Sequence, residues 1–193
     1  MGECEPETLS QMLGVPPLLA RLLSNRGICK KEAVKEFLTP SLSRLHDPFL
    51  MRDMERAASR ILKAVEGGER IMIHGDYDAD GVTSSALLYL ALQRLGVKPL
   101  VYLPRRGVEG YGLSDAAVEW AAEKGVRLII TTDCGSGAHE EVELAAEKGM
   151  DVVITDHHEI THPLPPAVAV VNPKRRDDLY PFKGLSGVGV AFK

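Results

Sequence analysis

Short apolar runs alternate with helix-like segments from Glu69 onward, and this alternation constrains the fold more than any other feature. The runs are 71–73, 100–103, 128–131, 152–154 and 168–171. Between the first four lie helix-like segments at about 82–95, 115–124 and 139–148, each followed by a glycine. Such a pattern is typical of right-handed βαβ units. We therefore expect an α/β domain with a mostly parallel sheet flanked by helices on both faces.

The first 67 residues show a different pattern, which is typical of a helical extension. Helices are predicted at about 18–23 after Pro16 and Pro17, at 30–38 before Pro40, and at 53–65 before two glycines. We expect two domains, a helical region at 1–67 and the sheet domain at 68–193. Nothing in the first domain suggests catalysis, so a packing or positioning role is expected there.

Composition excludes several classes of protein. Charged residues make up 26% and apolar residues 45%, as in a folded soluble domain. No run approaches the ~18 to 20 apolar residues of a membrane span, and the start, Met1–Glu5, is acidic where a secretory signal is basic. The three cysteines support neither a disulfide framework nor a zinc site. A cytoplasmic protein without a membrane partner is expected.

Candidate metal ligands follow three of the predicted strands. They are His74, Asp76, Asp78 and Asp80 after the first strand, Asp133 after the third, and Asp156, His157 and His158 after the fourth. The carboxyl ends of parallel strands form the ligand-binding edge of such a sheet. Carboxylates this close together repel one another unless a cation lies among them. The sequence therefore predicts a divalent-metal site at this edge.

The mixture of carboxylates and imidazoles suits Mn²⁺ or Mg²⁺ better than metals that prefer thiolates. Two such ions ~4 Å apart can stabilise both the attacking and the leaving oxygen of a phosphoryl displacement. Asp133, which lies between the other two clusters in sequence, is well placed to bridge the pair. The predicted reaction is hydrolysis of a phosphodiester or phosphoanhydride.

Each ligand candidate also has an ordinary structural interpretation. Asp78 and Asp80 could cap the following helix, the two histidines could be loop residues, and Asp133 could make a turn. Their coincidence at three strand ends favours the metal site.

Three other motifs compete with this interpretation. An EF-hand loop beginning at Asp76 would need glutamate where Leu87 stands. The zinc-protease pattern His158–His162 runs into Pro163, which disfavours the helix that this motif requires. Cys134 has no paired base, so a small residue in a tight turn is the better interpretation.

Two glycine-rich segments have weaker signals. The amides near Gly135 and Gly137 could help to hold a phosphate at a helix start. The segment 184–189 is expected to be a glycine-rich turn, but it fits neither a P-loop nor a dinucleotide fingerprint.

The motifs His74–Gly81, Thr131–Gly135 and Thr155–His158 resemble those of the DHH phosphoesterases, whose name-giving motif stands here as Asp156-His157-His158. The segments 109–114, 171–174 and 185–193 resemble the branch of that family that degrades single-stranded DNA. Similarity extends to Asn25–Ile28, Phe37–Pro40 and Asp47–Pro48.

The resemblance implies specific roles. One metal would be held by His74, Asp78 and Asp133, and the second by Asp80, Asp133 and His157. The catalytic residues would be Asp78, Asp80, Asp133, His157 and His158, with His158 near the scissile phosphate. Asp76 and Asp156 would orient the ligands. Further phosphate contacts are expected from Arg105, Arg106 and Lys174, although these could equally be solvated surface charges.

The function implied by the resemblance is a 5′-to-3′ exonuclease that degrades single-stranded DNA to mononucleotides in repair and recombination. Enzymes of this family carry a further metal-binding aspartate and a second domain downstream, so the sheet domain here is expected to be truncated at its C-terminal end. We expect this chain alone to bind the second metal weakly and to have little activity. Two alternatives stay open: a phosphoesterase for pyrophosphate, short oligonucleotides or cyclic dinucleotides, and a non-catalytic nucleic-acid-binding relative.

Overall fold

A computed structural model of the chain describes residues 4–161 and 163–193, so residues 1–3 of the acidic start and His162 of the zinc-protease pattern lie outside it. The chain divides into two compact units between Leu45 and His46. The first contains helices α1 (Pro6–Leu13), α2 (Pro17–Asn25) and α3 (Lys31–Leu38), followed by a 3₁₀ turn at Leu42–Arg44.

The second unit contains five strands and five helices in the part that the structure describes. In chain order, after a 3₁₀ turn at Pro48–Leu50, these elements are α4 (Met54–Glu66), β1 (Ile71–Gly75), α5 (Ala79–Arg94), β2 (Leu100–Tyr102), α6 (Asp115–Glu123), β3 (Leu128–Thr132), α7 (His139–Glu147), β4 (Asp151–Thr155), β5 (Ala169–Val171) and α8 (Gly187–Phe192).

The first unit has its own small core. Leu9, Ala20, Leu23 and Val34, one or two from each helix, are buried against one another. Proline occupies the first turn of both α1 and α2, where its missing N–H has no intrahelical partner to lose. Helix α1 was not predicted, whereas the positions expected for α2 and α3 agree with the structure to within one or two residues.

The structure corrects one expectation about the cysteines. Cys4 and Cys29 form a disulfide, with their Cα atoms 5.0 Å apart, while Cys134 is free and buried. This separation is in the normal range for a disulfide. An odd number of cysteines without a spacing motif could not indicate the pair, because it depends on how the short helices of the first unit pack.

The sheet of the second unit is entirely parallel, with strand order β2-β1-β3-β4-β5. The predicted fold class, a parallel sheet flanked by helices, is confirmed. Every residue of β1 and β3 is buried, as expected for strands covered on both faces.

Side chains of the strands alternate between two cores. Met72 and Ile129 point to the core that includes residues of α6 and α7, such as Val118 and Val142. The neighbouring side chains of each strand point to the opposite core, which receives residues of α4, α5 and α8. This alternation is the period of two that a strand imposes. No helix in the described residues is long and apolar enough to cross a membrane.

Three boundaries differ from expectation. The units divide at Leu45 rather than at residue 67, because Ala57 and Ala64 of α4 pack into the core of the sheet unit. Helix α5 begins three residues earlier than expected, at Ala79, which makes Asp78 its N-cap. The segment 184–189, expected as a turn, contains the start of α8.

Candidate metal centre

The strand ends that carry the candidate ligands lie side by side. β1, β3 and β4 are adjacent and parallel, so their carboxyl ends share one edge of the sheet. His74 lies near the end of β1, and Asp133 and Asp156 directly follow β3 and β4. Residues distant in sequence are thereby brought to the edge where parallel sheets bind ligands.

Two groups of possible metal ligands form at this edge, and Asp133 belongs to both. It lies with His157 and His158 in one group and with Asp76 and Asp78 in the other. Within each group the ligand atoms are no more than 4.8 Å apart. A bridging carboxylate requires such a shared position. The bridging role itself stays a prediction.

Asp80 and His74 lie beside these groups. Oδ2 of Asp80 is 3.6 Å from Nε2 of His157. His74 is completely buried, with Nδ1 3.7 Å from Sγ of Cys134 and its ring stacked on Tyr102. Burial lowers the pKa of His74 to about 4, so the imidazole is neutral at physiological pH, as a metal ligand must be.

Unpartnered buried atoms at the site fit a bound cation. In the described residues, Nε2 of His74, Oδ1 of Asp76 and Oδ1 of Asp133 are buried without a hydrogen-bond partner. Leaving such atoms unsatisfied costs about 1–3 kcal/mol each. Since the set consists of carboxylate oxygens and an imidazole nitrogen, Mn²⁺ or Mg²⁺ suits it chemically.

Asp133 combines a left-handed backbone with a buried side chain and nearby negative charges. Its backbone is left-handed, with φ 62°, and its side chain is 1% exposed. Burial, and next the negative charges of Asp80 and Asp78, raise the pKa of Asp133 to about 7. A cation at this position would relieve both the burial and the repulsion.

Asp78 caps α5 and keeps a free oxygen. Its Oδ1 accepts hydrogen bonds from the amides of Asp80 and Gly81, at 2.8 and 2.9 Å. The Gly81 amide is the main reason that the pKa of Asp78 is lowered. The capping interpretation is therefore correct for Oδ1, while Oδ2 stays available as a ligand.

Asp156 organises the loop that carries the two histidines. Its Oδ1 accepts from the amides of His157 and His158 and lies 2.8 Å from Nδ1 of His158, and its Oδ2 accepts from the amide of Ser136. Burial alone would raise the pKa of Asp156, but the hydrogen bonds from His158 and Ser136 outweigh it and lower the pKa. Its oxygens are thus occupied in positioning the loop.

A match to the DHH family, N-terminal domain, covers residues 70–193, which includes every ligand candidate described above. The chain belongs to the DHH family. Its sheet unit thus contains a DHH domain, and the three strand-end motifs lie within the matched residues.

The curated relatives that the chain matches include single-stranded-DNA-specific exonucleases. The single-stranded-DNA-specific exonuclease RecJ of Bacillus subtilis is 46% identical over 187 residues, covering 97% of this chain and 24% of the relative. The structure is similar to that of Thermus thermophilus RecJ in complex with Mn²⁺, with TM-score 0.73, 33% identity, and coverage of 97% of this chain and 26% of that one. For the same protein with Mg²⁺ the TM-score is 0.56 at 29% identity, with coverage of 97% and 22%. The chain spans about a quarter of the length of these proteins.

Three further residues shape the DHH site and were not assigned a role from the sequence. The hydroxyl of Tyr111 lies 3.0 Å from Nδ1 of His158 and donates to the carbonyl of Asp133. Buried Asn172 donates to Oγ of Ser136 and to the carbonyl of His158. The third is Gly187, at the start of α8. Tyr111 and Asn172 lie in segments noted only for family resemblance, and no local motif indicates these contacts.

The three basic residues expected to meet phosphates already have partners within the chain. Arg105 forms an ion pair with Glu109, the guanidinium of Arg106 lies over the ring of Tyr77, and Lys174 pairs with Glu159. Because Arg105 and Arg106 are exposed, a polyanion could still reach them. Their contact with phosphate stays a prediction.

The competing motifs do not fit the DHH domain. Leu87, at the twelfth position of the EF-hand pattern, lies within α5, so no calcium loop precedes a helix there. Residues 158–161 are not helical, and His162 lies outside the described residues. Burial raises the pKa of the Cys134 thiol, which keeps it from acting as a thiolate nucleophile.

Proposed function

We propose that this chain carries the metal-binding part of a single-stranded-DNA-specific exonuclease. The observation that carries the proposal is the shared position of Asp133 between two groups of ligands at neighbouring strand ends. A site of this kind suits phosphodiester hydrolysis with two divalent ions. Similarity to RecJ proteins supports single-stranded DNA as the substrate. Degradation from the 5′ end is part of the proposal and follows from the family resemblance alone.

The donor set suits two Mn²⁺ or Mg²⁺ ions. One ion would be held by His74, Asp78 and Asp133, and the other by Asp80, Asp133 and His157. When bound, such ions stabilise negative charge on the attacking and leaving oxygens of a phosphoryl displacement. Asp76, with its unpartnered Oδ1, would support the first set.

The residues of the chain would perform the remaining tasks. Exposed His158, held by Asp156 and Tyr111, is available to contact the phosphate that is cleaved. Arg105, Arg106 and Lys174 would hold neighbouring phosphates through charge, as in other single-strand grooves. With a net charge of −4, the chain offers no general attraction for DNA, so binding would depend on this local positive charge.

We further propose that the protein acts in the cytoplasm, in repair and recombination of DNA. Disulfides are rare in reducing compartments, so the Cys4–Cys29 disulfide means that the cysteines give no support for a cytoplasmic location. The proposed location follows from the DNA substrate.

The decisive experiment combines Mn²⁺ binding with digestion of labelled DNA by the 193-residue chain. We expect Mn²⁺ to bind. Because the chain alone is expected to have little activity, 5′-labelled single strands should release labelled mononucleotide slowly, at a rate that is low but higher in Mn²⁺ than in EDTA. Duplex DNA of the same sequence should resist. Preferential hydrolysis of a dinucleotide or pyrophosphate would favour the small-substrate alternative instead. DNA binding without metal binding would favour a non-catalytic relative.

A further inference from the structure

The N-terminus of α8 contacts two of the candidate ligands. The amide of Gly187 donates to Oδ2 of Asp80 at 2.7 Å, and the amide of Val188 donates to Oδ1 at 2.8 Å. The carboxylate of Asp80, in α5, is thus held through both oxygens by backbone amides that lie more than one hundred residues later in the sequence. Each oxygen keeps a second lone pair, so Asp80 can accept these bonds and still bind a cation.

Gly187 also lies directly against Asp133. A Cβ atom built at Gly187 would be 2.6 Å from Cβ of Asp133, closer than any real pair of such atoms. The atom that it would meet is fixed to the backbone, so rotation of a side chain could not relieve the clash. Only glycine allows α8 to come close enough for its amides to reach Asp80.

We propose that Gly187 is a positioning residue of the metal centre, which aligns Asp80 through the first amides of α8 and leaves room for Asp133. This inference rests on the proposed function, because it concerns the same site. It assigns a role to the glycine-rich segment 184–189, which fits no ligand-binding motif. The rival explanation is that Asp80 merely caps α8 and has no bearing on metal binding.

The same helix offers a matched control. Gly189 is two residues further along α8, and a Cβ there would meet flexible side-chain atoms of Leu185 and Ser186 no closer than 3.3 Å. Both glycines lie in the first turn of α8, so replacement by alanine changes helix propensity in the same direction at each. Any difference between Gly187→Ala and Gly189→Ala therefore reports on contact with the ligands.

A third variant loosens the helix start without adding atoms to the site. Oγ of Ser186 accepts from the amide of Gly189 and caps α8. Ser186→Ala removes this cap and should let the first turn fray. Since the substituted side chain is exposed, the variant should fold.

The first experiment measures Mn²⁺ affinity by calorimetry, with folding of each variant checked by circular dichroism. We expect Gly187→Ala to weaken binding at least tenfold, Ser186→Ala about threefold, and Gly189→Ala less than twofold. Equal affinity of Gly187→Ala and Gly189→Ala would overturn the proposal. If Gly187→Ala does not fold, Ser186→Ala tests the proposal instead. Wild-type Mn²⁺ affinity in Ser186→Ala would then overturn the proposal.

The second experiment needs no metal. The first amides of a helix have no intrahelical acceptor, so those of Gly187 and Val188 should exchange rapidly unless Asp80 protects them. Amide exchange followed by NMR should be at least tenfold slower at these two positions in the wild type than in Asp80→Ala. Equal rates would overturn the proposal. Absence of Mn²⁺ binding to the wild type would instead overturn the proposed function, and the exchange result would still decide whether Asp80 holds α8.

Discussion

Nε2 of His157 lies 3.0 Å from Oδ1 of Asp133. The contact joins the loop after β4 to the loop after β3, yet Oδ1 has no partner with hydrogen-bond geometry. Both residues belong to a group whose spacing suits a metal ion. We therefore interpret the close approach as two ligands arranged for a cation, and the first two predictions concern Asp133.

Asp133→Asn should weaken Mn²⁺ binding and stabilise the metal-free protein. Loss of the shared carboxylate should reduce affinity by roughly two orders of magnitude, since it affects both ligand groups. At pH 8, above the raised pKa of about 7, the buried charge destabilises the fold. Its removal should therefore raise the free energy of unfolding by on the order of 1 kcal/mol. Calorimetry and urea unfolding measure the two effects.

Asparagine is suited to this test because it also tolerates the left-handed backbone at position 133. Asp115→Asn, an exposed change in the first turn of α6, is the matched control and should alter neither quantity. Wild-type Mn²⁺ affinity in Asp133→Asn would show that this residue is not a ligand.

The affinity for Mn²⁺ should depend on pH through Asp133. Below about pH 7 a metal ion must displace the proton that burial and the charges of Asp80 and Asp78 hold on this carboxyl. From pH 8 to pH 6 we expect the affinity to fall about tenfold. His74, with its pKa lowered to about 4, carries no proton to displace in this range. Titrations at pH 6, 7 and 8 provide the measurement, and a flat profile would contradict the assignment.

The fold was largely predictable because apolar runs and helix stops are local signals. β1 to β5 and α5 to α7 all begin within a few residues of their expected positions. The start of α8 at Gly187 was not predicted, since its glycines disfavour a helix. The two glycines after residue 65 helped to predict α4, but they did not indicate that Ala57 and Ala64 pack into the core of the sheet unit.

The site was predictable where its chemistry sits at strand ends and not where it depends on tertiary contacts. Asp78 and Asp133 are acidic residues that closely follow predicted strands, so both their residue type and their position in the sequence indicate ligands. Asn172 reaches the carbonyl of His158 only because β5 pairs with β4 in one register. Tyr111 reaches Asp133 from a loop without regular structure. Sequence spacing contains no information about such contacts.

Tyr111→Phe should slow catalysis without weakening metal binding. The hydroxyl contacts Nδ1 of His158 and the carbonyl of Asp133, and burial raises the pKa of Tyr111, so it stays a neutral phenol rather than a phenolate metal ligand. Its loss removes one of the two contacts that hold the ring of His158, the other being Asp156, so we expect the rate of single-strand digestion at saturating Mn²⁺ to fall about tenfold. The affinity for Mn²⁺ should change less than twofold.

Tyr89→Phe is the matched control, because Tyr89 packs against the core formed by α4 and α5 and should leave the rate unchanged. An equal rate for wild type and Tyr111→Phe would show that the hydroxyl does not position His158. A parallel loss of Mn²⁺ affinity would show instead that Tyr111 supports the ligands themselves.

Gly135→Ala should destabilise the metal-free protein strongly, whereas Gly137→Ala should not. Gly135 has φ 108°, and a Cβ there would lie 2.8 Å from Oγ1 of Thr131 and 3.3 Å from Ile154. Strain and overpacking together should cost about 3 kcal/mol. A Cβ at Gly137 would meet nothing within 4 Å, so its replacement should change stability by less than about 0.5 kcal/mol. Urea unfolding of both variants provides the comparison, and similar stabilities would show that the turn after Asp133 adapts to a side chain at position 135.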